Sequence, residues 1–135
     1  MNLTDFAKEV HKNARLHGWW DEERSFGEII ALCHSELSEA LEEYRGGRPE
    51  LYYDCLIDDT DKDCICETRN TGCGYTSEGC KDKSEKPEGV AVELADCIIR
   101  ILDYCGKAGI DIEDIIRRKH EYNKTRPYRH GGRKL

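Results

Sequence analysis

No apolar run in this chain approaches the ~20 residues that a membrane-crossing helix requires. Its first residues, MNLTDFAKEV, have neither the basic start nor the apolar block of a secretory signal. The expectation is a cytoplasmic protein with no membrane partner. Basic residues are also in deficit: 21 Lys and Arg stand against 28 Asp and Glu, for a formal net charge of -7. A surface of that sign argues against a nucleic-acid polymer as partner, because phosphate backbones are held by basic faces. It suits a protein that binds divalent cations, which neutralise clustered carboxylates.

Strand-like alternation is missing too, and what remains is helical. The 135 residues suffice for one domain, 1–135, with a modest core. The first helical pattern runs from about Thr4 to His17, with Leu3, Phe6, Ala7, Val10 and Ala14 on one face, and Gly18-Trp19-Trp20 ends it. The second opens at Ser25, with Glu28 three positions later. That spacing is a capping box, in which each side chain satisfies a backbone N–H that the helix start leaves free. Phe26, Ile29, Ile30, Cys33, Leu37, Ala40, Leu41 and Tyr44 continue its stripe until Gly46-Gly47. A third helix is expected to begin near Pro87, with Val90, Leu94, Cys97, Ile98, Ile101 and Cys105 as its stripe. The fourth starts at Asp111 as N-cap, carries Ile112, Ile115 and Ile116, and stops before Pro127. The expected class is all-α.

The second helix carries an unusual row of acids. At roughly 100° per residue, Glu36, Glu39 and Glu43 point about 120° from the centre of its apolar stripe, on the shoulder of the buried side. Glu93 and Asp96 take the same offset on the third helix. Packing both stripes into a shared core brings the two acidic shoulders into one groove, where carboxylates repel unless a cation neutralises them. Mg²⁺ fits best, because it needs few protein carboxylates and takes further oxygens from a substrate's phosphates. The alternative is an ordinary solvated face, which is what most Glu-rich helices show. In the fourth helix, the positions continuing the core stripe are Lys119, Asn123 and Arg126. A basic end to an inner face suits contact with phosphate oxygens. Long side chains snorkelling to solvent are the alternative.

With these residues in hand, the chain resembles the MazG-like, all-α nucleoside triphosphate pyrophosphohydrolases. Gly18-Trp19-Trp20, Glu36-Leu-Ser-Glu39, Glu93-Leu-Ala-Asp96 and Lys119-His-Glu-Tyr-Asn123-Lys-Thr-Arg126-Pro127 carry the likeness, which covers residues 1 to about 47 and about 87 to 135. The resemblance implies a four-helix bundle completed by homo-oligomerisation, as a homodimer or homotetramer. It also implies hydrolysis of an NTP or dNTP to the monophosphate and pyrophosphate. Glu36, Glu39, Glu93 and Asp96 would hold Mg²⁺, with Mn²⁺ as a substitute. Lys119 and Arg126 would grip phosphates, and Asn123 would bond the phosphates or the sugar. Trp19 or Trp20 could stack on the base, since every base offers a π-face, or be buried at a core or interface.

In the family the two acidic motifs are usually closer together. Here about 48–86 form an insertion holding five of the eight cysteines: Cys55, Cys64, Cys66, Cys73 and Cys80. Four of these thiolates could bind a structural zinc, with disulfides or free thiols as alternatives. No histidine lies there to help. Cys33, Cys97 and Cys105 fall on apolar stripes and are expected as small core residues. The spacing argues against a di-iron carboxylate bundle, because no histidine follows an acid by three positions. The rival from another class is a catalytically silent helical module whose insertion binds zinc or a protein partner.

Overall fold

The computed structural model describes residues 2–56, 75–76 and 83–128. Its elements are α1 Leu3–Leu16, α2 Phe26–Arg45, β1 Tyr52–Cys55, β2 Tyr75–Thr76, β3 Lys83–Glu88, α3 Val90–Ala108 and α4 Ile112–Lys124. The protein is mostly helical, and among the described residues no helix is long and apolar enough to cross a membrane. Two compact units divide the chain: Met1–Arg24 with Ile99–Leu135, and Ser25–Ile98. Helix α3 contributes its second half to the first unit and its first half to the second.

In the first unit, Ala7 of α1 and Leu102 and Cys105 of α3 form a small core, flanked by Phe6, Val10, Ile110 and Ile112. The close approach depends on Gly106. A Cβ there would lie 2.3 Å from the Ala7 carbonyl oxygen and 2.7 Å from His11 Cβ. Burial pushes the Cys105 thiol pKa up. Helices α1 and α4 are joined at their starts. Thr4 Oγ1 donates to Asp111 Oδ1 at 2.7 Å, and the Leu3 N–H donates to Glu113 Oε2 at 2.7 Å. Asp111 also caps α4 by accepting from the Asp114 N–H, so its carboxyl is held below the usual range, chiefly by the Thr4 hydroxyl.

The second unit opens with the expected capping box. Ser25 Oγ accepts from the Glu28 N–H, and Glu28 accepts in return from the Ser25 N–H. Helix α2 ends at Gly46, followed by Gly47 at φ 65. Beyond it lies a three-stranded antiparallel sheet in the order β2-β1-β3, an addition to the helical class that no alternation in the sequence announces. Pro87 is part of strand β3 and does not sit in the first turn of a helix. Because β3 is an edge strand, a residue without an N–H is tolerated there. Gly89, at φ +114, then turns the chain into α3, and the Ala91 N–H donates to the Glu50 carbonyl at 2.9 Å. Any Cβ at Gly89 would lie 2.6 Å from that same carbonyl oxygen. Tyr52 anchors the sheet to α2. Its buried hydroxyl donates to Glu43 Oε2 at 3.0 Å, and Arg48 Nη1 donates to Glu43 Oε1 at 2.6 Å.

Burial of the helices differs from the expected pattern. Glu36 and Glu93 are only 5% and 8% exposed, whereas Leu37 and Ile98 of the apolar stripes are 47% and 55% exposed. The buried seam of α2 is Ile29, Cys33, Glu36 and Ala40, so Glu36 joins three stripe residues on the inward side while Leu37 beside it turns outward. Phe26, Ile30, Leu41 and Tyr44 are exposed on the same helix, as are Leu94 and Ile101 on α3. On α4, Ile115 and Ile116 are also exposed, and no residue of that helix is buried. Cys33, Cys97 and Cys105 are buried, as expected of small core residues.

Candidate metal centre

Glu36 belongs to the inward seam of α2, one turn after Cys33 and one before Ala40. Glu93 and Asp96 share one face of α3 by their i, i+3 spacing, with Glu93 in the first turn. One carboxylate oxygen from each of Glu36, Glu93 and Asp96 lies within 4.8 Å of the other two. Glu36 and Glu93 are buried and Asp96 is half-buried. Two helices thus bring three acids from the two predicted motifs to one point.

The fourth acid, Glu39, is exposed and stands outside this trio, its Oε1 accepting from Ser35 Oγ at 3.2 Å. Its charge is still felt. The Glu93 carboxyl is pushed above its ordinary range, first by burial and then by the charges of Glu39, Asp96, Glu36 and Glu88. Lys86 of β3 pairs with Glu88 at 2.6 Å, and the charges of Glu88, Glu93 and Asp96 raise its own pKa further. Glu43, the third acid of the row on α2, is held instead by Arg48 and Tyr52.

The donor set is all oxygen; among the described residues neither a thiol nor an imidazole belongs to it. Carboxylates this close and this buried repel one another and lack the solvation that would relieve them. Hard cations such as Mg²⁺ or Mn²⁺ take oxygen donors of this kind, whereas softer metals favour sulfur and nitrogen. The residues therefore fit the expected ion.

The remaining predicted residues are placed as follows. Trp19 has two guanidinium groups over its ring, Arg24 at 4.5 Å and Arg100 at 5.1 Å from the centroid. Trp20 is half-buried, with Nε1–H donating to both oxygens of Asp103 at 3.0 Å. Lys119, Asn123 and Arg126 are exposed, and the Lys119 ammonium lies 5.0 Å from the Tyr122 ring centroid. Cys55 is half-buried on β1, while Cys64, Cys66, Cys73 and Cys80 lie outside the described residues.

Sequence reasoning missed a second polar cluster. Buried Asp103 accepts from Trp20 and also from His11 Nδ1–H at 2.7 Å, and the His11 and Trp20 rings meet edge-on at 5.6 Å. The signal was available: Asp103 follows Asp96 by one heptad, so it continues the acidic face of α3. No protein-family profile matches the chain, and no curated protein or solved structure shows significant similarity to it.

Proposed function

We propose that this protein is a Mg²⁺-dependent nucleoside triphosphate pyrophosphohydrolase that converts an NTP or dNTP to its monophosphate and pyrophosphate. The observation that carries the reading is the convergence of Glu36, Glu93 and Asp96, from two of the four segments that carry the MazG-like resemblance. These three residues would hold the cation, with Glu39 completing the set at its rim. When bound, the ion supplies charge neutralisation for the phosphate oxygens and acidifies water. Hydrolysis joins a water oxygen to the α-phosphorus, and pyrophosphate leaves with the electrons of the broken P–O bond. Glu39 accepts from Ser35 through Oε1 and retains Oε2 to take the proton lost by that water.

Lys119, Asn123 and Arg126 are the proposed phosphate and sugar contacts, on the strength of the resemblance and their exposure. Trp19 and Trp20 are the proposed base contacts; Trp20 has its N–H committed to Asp103 and the Lys107 ammonium 4.1 Å from its ring centroid, so a base would stack by displacing that cation or on the opposite face. The exposed apolar row of Phe26, Ile30, Leu37, Leu41 and Tyr44 supports a homodimer or homotetramer, since so large a patch is rarely left to water. The deciding experiment incubates the protein with each NTP and dNTP plus Mg²⁺ and follows monophosphate and pyrophosphate. Pyrophosphate release with no orthophosphate is the expected result, and absence of product from every nucleotide overturns the reading.

A further inference from the structure

We infer that the first unit contains a separate binding groove for a small polyphosphate anion. The groove has a volume of about 640 Å³; three cations, Lys8, Lys12 and Arg15, line it with one acid, Asp21, and with His11, Leu16, Trp20 and Gly106. That size falls within the range of small-molecule sites. Lys8, Lys12 and Arg15 are spaced i, i+4 and i+7 along α1, so they project within an arc of about 60° and span about 10 Å. A cationic row of this length matches an anion whose charge is spread over two or three phosphates better than a compact monoanion.

The charge is locally concentrated against a chain of net charge -7. Lys8 is paired with Asp5 at 2.8 Å, but Lys12 and Arg15 make no ion pair among the described residues. Arg15 also lies in the last turn of α1, where a cation offsets the helix dipole. The ion pair with Asp5 accounts for Lys8 and the helix dipole for Arg15, which leaves Lys12, aligned with both, without a structural role. The floor of the groove is fixed in advance. Asp103 holds both rings, His11 through Nδ1 and Trp20 through Nε1, while His11 Nε2 makes no hydrogen bond among the described residues. Gly106, whose Cβ would collide with Ala7 and His11, lets α3 approach α1 closely at the groove wall. Lysines and a forked guanidinium over a preset floor are suited to phosphate oxygens. The inference does not depend on the acidic cluster, none of whose residues lines this groove.

The test is calorimetric titration of the full chain with inorganic tripolyphosphate in chelator-containing buffer, with sulfate at matched ionic strength as the reference anion. Saturable binding of one tripolyphosphate per chain is expected. Lys12→Gln/Arg15→Gln should weaken it about tenfold or more, since each residue contributes charge-assisted hydrogen bonds. Glu93→Gln should leave it unchanged. Both replaced side chains are exposed, so the variant should keep the circular dichroism of the parent. Lys12→Ala alone, with a smaller loss, provides a second check should the double variant lose helicity. Equal binding of sulfate, unchanged affinity in folded basic variants, or tighter binding of a single-stranded oligonucleotide at this groove would overturn the inference.

Discussion

Replacing Glu93 with Gln should stabilise the metal-free protein while removing its response to Mg²⁺. Glu93 is buried, with carboxylate oxygens of Glu36 and Asp96 within 4.8 Å. At that separation and an effective dielectric constant near 20, each like-charge pair costs about 3.5 kcal/mol when both partners are ionised. Protonation and local rearrangement relieve much of this, so a net gain of about 1–2 kcal/mol is expected, equivalent to a rise in Tm of roughly 3–8 °C. The pH dependence has a definite sign. Folding raises the Glu93 pKa above its ordinary value of 4.5, so the native state retains a proton that the unfolded state releases. Stability of the parent therefore falls as pH rises from about 4.5 through the raised native value, then levels off. The advantage of Glu93→Gln should open over the same interval. Thermal unfolding in EDTA from pH 4 to 9, repeated at neutral pH with millimolar Mg²⁺, measures both effects. The parent should gain Tm with Mg²⁺ and the variant should not. A variant no more stable than the parent throughout the EDTA series, or one that keeps the full Mg²⁺ response, would refute the reasoning.

Three further outcomes are expected. Gly106→Ala should cost about 2–3 kcal/mol in urea unfolding, because its Cβ would sit 2.3 Å from the Ala7 carbonyl oxygen; unchanged stability would contradict the close approach of α1 and α3. Asp103→Asn should cost about 1.5–3 kcal/mol and red-shift tryptophan emission, since one buried carboxylate serves both His11 and Trp20. Leu41→Glu combined with Ile98→Glu should leave the helical signal intact and shift sedimentation to the monomer, because both residues are exposed in the single chain. A parent that already sediments as a monomer at micromolar concentration would contradict the oligomer proposal.

Local chemistry made the helices legible in the sequence. Ser25 with Glu28, Asp111 as a cap, Gly46-Gly47 as a stop and Pro127 as a barrier all act within a few residues, and the observed helix ends follow them. The pairing of Glu36 with Glu93 and Asp96 was legible for a related reason, since equal phase on two helices is a periodic property. Strand β3 was not, because KSEKPE has no apolar alternation and is held by main-chain pairing with β1. Nor did periodicity reveal that Glu36 and Glu93 lie deeper than Leu37 and Ile98. A stripe marks which residues favour burial, and in the proposed oligomer a second copy would cover Leu37 and Ile98. Asp103 escaped notice because its partners lie far away in sequence, at His11 and Trp20.

The most direct test of the central claim is product analysis with Mg²⁺ for the parent and for Glu36→Gln, which keeps the size of the side chain and removes its charge. The account predicts monophosphate and pyrophosphate from the parent and neither from the variant, with helicity unchanged. Equal turnover by the two proteins would remove the acidic cluster from the reaction.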